Sequence, residues 1–363
     1  MSKVIKRISL ILLLLVVLVV AVFGGIYFTR ILTIGSIEKL TDYEDGYNLY
    51  SMDIKYDYSI EDIINYGIKD DQTMIDAILK ESLPLIPAKI NVPDYGCTSF
   101  TLTDTDGDVH MGRNYDFRKD TSAMMVYCTP KDGYKSVAFA ALDNISANVP
   151  DESMAKKLAT LTAPFICLDG MNEKGVSISV LTLDSEPVRQ NTGKPVIATT
   201  LAIRLVLDKA ATTEEAVELL NSYDMFSSSG RDYHFYITDA SGDGRVVEYD
   251  PESEDRNLIA TSTEAVTNFF IRHKDKVLPN QKNGIYGHGR ERYDVVMKVL
   301  GEEKGNYTNA TVWEAMKVAA QNPDPEAITS NTQWSVSYNN TDLTAEIAIR
   351  RNWEDVTQFE INK

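Results

Sequence analysis

Histidine and cysteine are scarce in this chain of 363 residues, with four of the first and three of the second. His110, His234, His273 and His288 stand apart, and no Cys/His pair has ligand spacing. That argues against a structural zinc site, and no metal is expected. Positive charge is in deficit: 36 Lys and Arg against 53 Asp and Glu give a net charge of -17. With no basic stripe to neutralise phosphates, no nucleic-acid partner is expected. There is no G-x-S-x-G elbow and no phosphate-cradling glycine loop, so serine-hydrolase and nucleotide readings drop out and no cofactor is expected. Low-complexity tracts and fixed-period repeats are also missing. At 44% hydrophobic and 25% charged, the composition is that of an ordinary globular protein.

What is present begins at the N-terminus. Residues Ile8 to Phe28 carry no charge, and a helix of ~20 apolar residues crosses a bilayer core. Lys3, Lys6 and Arg7 precede the run, so the positive-inside rule puts the N-terminus in the cytoplasm and everything after Arg30 outside. The run is longer than the ~7–15 residues of a signal-peptide core, and no clear A-x-A site follows. Residues 1–30 therefore read as a cytoplasmic tip and transmembrane signal anchor, with the membrane met through 8–28 and a cleaved signal peptide as the alternative. The odd cysteine count in an exported chain leaves at least one free thiol or an intermolecular bond. Cys128 and Cys167 lie in apolar, strand-like surroundings and read as buried core.

Residues 31–58 look irregular and Tyr/Asp-rich. Ser59 to Asp62 has the look of a helix N-cap, and DQTMIDAILKESL carries apolar residues at helical spacing. Pro84, Pro87 and Pro93 break helix and lead in an extended run to Asp94-Tyr95-Gly96-Cys97, where a compositional boundary falls. This divides the chain into 1–30, a helical leader over 31–96, and a domain over 97–363. From Cys97 a hairpin is expected, turning at Thr105-Asp106-Gly107-Asp108. Strands are expected at 123–128, 135–141, 164–168, 176–183, 233–239 and 245–249. Helices are expected at 196–210, 213–222 (capped by Thr212 and Glu215), 291–300 and 311–320. TQWSVSY, LTAEIAIR and VTQFEI form a last antiparallel set. Antiparallel strands with helices grouped between them point to a layered α+β domain.

The chemistry centres on Cys97. The hairpin returns Arg113 and Asp116 to its neighbourhood, and a guanidinium beside a thiol favours the nucleophilic thiolate. A surface ion pair is the plainer reading of Arg113 and Asp116. Cys97-Thr98-Ser99 followed by Gly112-Arg113-Asn114-Tyr115-Asp116-Phe117 resembles the signature of the linear amide C–N hydrolases of the N-terminal nucleophile class. These include choloylglycine (bile salt) hydrolases, penicillin V acylases, and the acid ceramidase and N-acylethanolamine acid amidase group. Gly170 to Gly175, read Gly-Met-Asn-Glu-Lys-Gly, resembles that family's Asn-Glu-x-Gly turn. Thr267-Asn268 resembles its Thr-Asn, and Arg292-Tyr293 its Arg-Phe/Tyr opening a helix.

The resemblance spans 97–363 and implies a four-layered αββα fold that acts on a small N-acyl amide with an apolar acyl group. It implies that Cys97 is the nucleophile and that its own α-amino group is the base. By the same resemblance Asn172 and Asn268 supply oxyanion donors, Asp116 holds the α-ammonium, and Arg113 and Arg292 favour the thiolate. Arg290 competes for the Arg292 role. An Asn before Glu-Lys-Gly is also a common turn, and Asn268 reads equally as a strand-end residue satisfying backbone. Because 96 residues precede Cys97, its amine becomes free only when the Gly96–Cys97 bond breaks. Gly96, lacking Cβ, suits a strained junction. Fragments 1–96 and 97–363 are then expected to stay together noncovalently, with the helices near 59–83 packed on the core and lining the acyl pocket. An acyltransferase using the same thioester, and a non-catalytic anchored binding protein, are the rival readings. Asn144, Asn306, Asn309 and Asn339 head glycosylation sequons, which matter only in a eukaryotic secretory host.

Overall fold

The structure is a computed structural model describing residues 3–86, 90, 96–327 and 329–362, without the side chains of 3–6 and 18–19. The expected extended run through Pro87, Pro93, Asp94 and Tyr95 lies outside the described residues. Helix α1 (Lys3–Gly35) carries the apolar run and is long and apolar enough to cross a membrane. Behind it come β1 (Glu38–Lys39), β2 (Leu49–Asp53), α2 (Ile60–Asn65) and α3 (Asp71–Ser82). Ser59 caps α2 as expected, accepting from the Asp62 N–H at 3.0 Å.

Residues 31–58, expected to be irregular within a helical leader, supply two strands instead. β2 shows no alternation because four of its five residues are buried, as happens when both faces of a strand are covered. The last turns of α1 also dock on the leader. Tyr27 and Ile34 are buried, and the Arg30 guanidinium donates to the carbonyls of Glu81 at 2.5 Å and Ser82 at 2.7 Å. Those oxygens belong to the last turn of α3, whose carbonyls lack helical partners, so Arg30 caps α3 from another helix.

The hairpin follows as β3 (Gly96–Thr103) and β4 (Val109–Asp116), then β5 (Ala123–Cys128) and β6 (Ser136–Ala141). A short helix α4 (Met154–Ala159) precedes β7 (Cys167–Asn172) and β8 (Ser177–Leu183). The strand expected at 164–168 is displaced, because Thr160–Phe165 is a 3-10 turn containing Pro164, which has no N–H for a ladder. The helix expected at 196–210 starts late: β9 (Val196–Ala198) precedes α5 (Thr199–Lys209). Next are α6 (Thr213–Asn221), with Thr212 capping it through the Glu215 N–H, β10 (Asp224–Phe226), β11 (Asp232–Thr238) and β12 (Arg245–Tyr249). β13 (Leu258–Ser262), β14 (Ala265–Val266), α7 (Arg290–Glu302), α8 (Asn309–Ala319), β15 (Thr332–Asn339), β16 (Thr344–Ile349) and β17 (Val356–Glu360) complete the chain.

The fold is α+β and rich in sheet. One sheet has nine strands in the order β1-β2-β5-β6-β7-β8-β11-β12-β13, the other six in the order β14-β3-β4-β15-β16-β17. All neighbours in these two sheets are antiparallel except β2 and β5, which run parallel. β9 and β10 form a separate parallel pair. The two sheets meet face to face. Ser99 on β3 shares a hydrogen bond with Ser179 on β8 at 2.8 Å, and Arg113 on β4 donates to Val180 O at 3.0 Å. Helix α5 packs outside β7 and β8, and α7 and α8 pack outside β3 and β4, giving helix, sheet, sheet and helix in turn. Every residue of β4 is buried because both of its faces are covered. Tyr115, Phe139 and Trp334 lie in the core between the sheets, and Phe100, Val296, Val312 and Met316 in the one under α7 and α8.

Candidate active site

The register of the hairpin sets the geometry. Gly96 pairs with Asp116, Cys97 with Tyr115 and Ser99 with Arg113. Side chains alternate faces along a strand and opposed residues share one. Cys97 and Arg113 therefore point between the sheets, whereas Asp116 points to the helix-covered face. Arg113 is completely buried, with Nε 3.3 Å from Asp169 Oδ2 and Nη1 donating to Asn114 O at 3.0 Å. Asp169 is held in turn by Tyr338 OH at 2.6 Å and Trp334 Nε1 at 3.1 Å. Burial pushes the Cys97 thiol up to about 11, with the Arg113 guanidinium pulling the other way. In this continuous chain burial outweighs the cation.

On the other face, Asp116 accepts from Thr332 Oγ1 at 2.6 Å and from Gln321 Nε2 at 3.1 Å, with Arg292 Nη1 at 3.5 Å. Arg292 also donates to Cys97 O at 2.8 Å, Thr98 Oγ1 at 3.0 Å and Asn268 Oδ1 at 2.6 Å. Gly289, at φ 83°, precedes α7. A Cβ there would overlap the Arg292 guanidinium, so glycine makes room for it. Arg290 turns away to Asp294 at 2.7 Å and Lys274 O at 2.8 Å. Of the two arginines, Arg292 is the one at the site.

Asn268 lies beside Cys97 with its oxygen, not its amide nitrogen, toward the cysteine. Oδ1 accepts the Cys97 N–H at 3.1 Å, and Nδ2 donates to Thr182 O at 2.8 Å. Behind it the buried His234 bridges Thr267 O at 2.9 Å and Glu248 Oε1 at 3.3 Å, which fixes the Thr267-Asn268 backbone.

Asn172 is a correction to the expected set. Its Nδ2 donates to Leu207 O at 3.1 Å and Ala210 O at 2.8 Å, and its Oδ1 accepts from the N–H groups of Lys174 at 3.0 Å and Val176 at 3.1 Å. Both amide protons are used in capping the end of α5, while the amide oxygen closes the β7–β8 turn. Thr182, which touches Asn268, sits near the other end of β8. At ~3.3 Å per residue, the five residues from Ser177 to Thr182 alone span roughly 16 Å. The structure thus brings together Cys97, Arg113, Asp116, Asn268 and Arg292 but not Asn172.

Sequence reasoning missed Asp169, Gln321 and Thr332, which come from the facing sheet, from the segment after α8 and from β15 paired with β4, long-range contacts that leave no local signal. It also passed over a cluster at the hairpin turn, where ligand-type atoms of Asp104, Asp108 and His110 lie within 4.8 Å of one another. Asp104 there serves the turn itself, accepting from Asp106 N at 3.0 Å and Asp108 N at 2.9 Å. Cys128 and Cys167 are buried free thiols, as expected.

Residues 97–255 match the family model of the linear amide C–N hydrolases, choloylglycine hydrolase family. Among solved structures, penicillin V acylase from Agrobacterium tumefaciens aligns at TM-score 0.52 and 19% identity, over 74% of this chain and 87% of that one. A variant of conjugated bile acid hydrolase from Clostridium perfringens aligns at 0.53 and 16% identity, over 73% and 93%. At these identities the structures speak for the fold. The family match, which begins at Cys97, bears out the family resemblance read from the sequence, over residues 97–255 of the 97–363 expected.

Proposed function

We propose, on the premise of kinship with the linear amide C–N hydrolases of the choloylglycine hydrolase family, that this chain hydrolyses small N-acyl amides with Cys97 as an N-terminal nucleophile. The observation that carries the reading is the double grip on Cys97: Asn268 Oδ1 on its nitrogen and Arg292 on its carbonyl. A buried structural cysteine needs neither. Once the Gly96–Cys97 bond breaks, that nitrogen is an amine already seated against Asn268. An α-amine has an ordinary pKa of ~7.7–8.0, suited to exchanging protons near neutral pH.

The amine takes the thiol proton, Arg113 on the same face supports the thiolate, and Sγ bonds to the substrate carbonyl carbon. Asn268 Nδ2 has a second proton beyond the one given to Thr182 O, and it serves the oxyanion as the tetrahedral adduct forms. The ammonium proton passes to the leaving amine and an acyl-thioester remains. Water, losing a proton to the α-amine, adds to that thioester and frees the acid. Asp116 and Arg292 orient the amine from the helix-covered face. Bile salt conjugates, N-acylethanolamines and penicillin V are the substrate types to test.

In this reading 1–30 is an anchor with its N-terminus in the cytoplasm, 31–96 the leader, and 97–363 the catalytic part of an N-terminal-nucleophile αββα sandwich outside the membrane. Docking of Tyr27 and Arg30 on the leader supports retention of the anchor, because removing the apolar helix as a signal peptide would strip those contacts. β2, paired along five residues with β5, supports a fragment 1–96 that stays in the sheet after the cut. The test is the intact mass of the chain beside its Cys97→Ala variant. Wild type is expected as two fragments split after Gly96, and the variant whole. A folded wild type that stays whole would remove the α-amino base and with it this mechanism.

A further inference from the structure

The last turns of α1 are two-sided. Tyr27, Thr33 and Ile34 are buried, and Arg30 between them holds the end of α3. On the other side Phe28, Ile31 and Leu32 are 63%, 59% and 48% exposed. Their i, i+3, i+4 spacing puts these three on one face of the helix. A helix end standing in water carries polar residues on such a face. This face is as apolar as the run before it.

Helix geometry gives the level at which it lies. Lys6 and Arg7 stand just before the apolar run and mark the inner edge of a bilayer. Counted from Ile8, about 20 residues at 1.5 Å each make ~30 Å, the thickness of the hydrocarbon core, and end at Tyr27. The headgroup layer adds roughly 5–8 Å, which at the same rise reaches Leu32. The domain docks beside these turns and not above them. Tyr27 OH donates to Pro84 O. Side chains on a helix lean toward its N-terminus, here the membrane side, so Pro84 is met at the level of Tyr27 or deeper. The next residue, Leu85, is 81% exposed, the highest value for a large hydrophobic side chain among the described residues. A lone exposed leucine needs no explanation, but this one stands beside the apolar face of a helix that enters the bilayer.

We propose that Phe28, Ile31, Leu32 and Leu85 form an interfacial face through which the domain lies on the outer leaflet of the bilayer that α1 spans. The partner is the lipid surface itself, whose boundary between acyl chains and headgroups takes up apolar side chains to a depth of ~5–10 Å. The bonds from Tyr27 and Arg30 to the leader then hold the domain at a fixed height against the membrane, where a flexible tether would let it swing. The inference rests on the anchor proposed above and on no step of the catalysis.

The experiment makes Leu85→Cys in the full-length Cys97→Ala chain, where Cys128 and Cys167 are buried, and labels the new thiol with bimane. Leu85 is exposed, so the change removes no core contact. The labelled chain is placed in phosphatidylcholine nanodiscs with and without doxyl-labelled lipid, and iodide is added as a quencher in the water. Seated at the boundary, the Leu85 label is expected to lose about half or more of its emission to doxyl lipid and to be shielded from iodide. Val16→Cys, within the apolar run, is labelled in parallel to report on the anchor. Suppose doxyl lipid quenches the Val16 label. If the Leu85 label then keeps its emission, or iodide reaches it as freely as bimane in solution, the face is overturned and the anchor stands. If intact mass shows the apolar helix removed, or the Val16 label escapes doxyl lipid, the anchor fails and the face falls with it.

Discussion

The amide oxygen of Asn268 accepts the backbone N–H of Cys97 at 3.1 Å, joining positions 171 residues apart. Arg292 donates to the same oxygen at 2.6 Å, so a single acceptor aligns the nitrogen and the guanidinium that grips the neighbouring carbonyl. Asn268→Ala takes this shared acceptor from both donors and removes the proposed oxyanion donor. Turnover of a linear amide is expected to fall by ~10²–10³, with KM changed far less. Steady-state kinetics on fully cut enzyme decide it, and retention of more than about a tenth of wild-type kcat counts against the assignment.

If the chain splits as proposed, its whole and split forms are expected to differ in thiol reactivity. In the whole chain burial lifts Cys97 from 9.0 to about 11, against the pull of Arg113. A folded pKa above the unfolded one means that the folded chain holds its proton longer. Whatever this site contributes to stability is therefore intact below 9.0 and declines as pH rises toward 11. At pH 8 the thiolate fraction is ~10²-fold below that of an ordinary cysteine. Iodoacetamide labelling, read separately on whole chain and fragment 97–363 by mass, is expected to be at least that much slower on the whole chain than on a free thiol. Its rate should climb through pH 9 to 11. Fast labelling of whole chain at pH 8 would contradict the burial argument. Cys128 and Cys167, also raised by burial, contribute little background.

How far the sequence foretold this site depends on range. Cys97, Arg113 and Asp116 were legible because a hairpin's register follows from the turn between its strands, and the three lie on one hairpin. Asn268 and Arg292 were legible only through motif resemblance, since nothing local says that β14 and α7 fold back on β3. Asn172 was misplaced because an asparagine closing a turn and one beside a nucleophile look alike in a string. What meets Asn268 from β8 is the Thr182 carbonyl, and a backbone group has no sequence signature. β2 escaped notice for a related reason: covered on both faces, it lacks the alternation that marks a half-exposed strand.

Asn172 should matter to stability and not to chemistry. Its side chain serves two carbonyls and two N–H groups around the turn after β7. Asn172→Ala leaves the groups of Val176, Leu207 and Ala210 without that partner in buried surroundings, at a cost of about 2–3 kcal/mol. Urea unfolding should show that loss, while kcat/KM of the folded enzyme stays within about threefold, well short of the ~10² expected for an oxyanion donor. A loss of ~10² in kcat/KM without a change in stability would restore Asn172 to the site.

Arg30 tests whether the apolar helix and the leader are one body. Its guanidinium donates to Ile26 O at 2.8 Å within α1 and to Glu81 O and Ser82 O across to α3, and it lies 4.8 Å from the Tyr56 ring. Arg30→Ala leaves carbonyls at the end of α3 uncapped and is expected to loosen that helix by about 1–3 kcal/mol. The signature is faster amide exchange over 71–82 in detergent-solubilised full-length chain, with exchange in the β3–β4 hairpin unchanged. Arg30→Lys should recover little, because one ammonium cannot match the forked reach of a guanidinium to two carbonyls. Unchanged exchange over 71–82 in Arg30→Ala would mean that α1 is merely tethered to the domain. In that case the apolar helix would contribute nothing to holding the proposed fragment 1–96, and the pairing of β2 with β5 would have to do it alone.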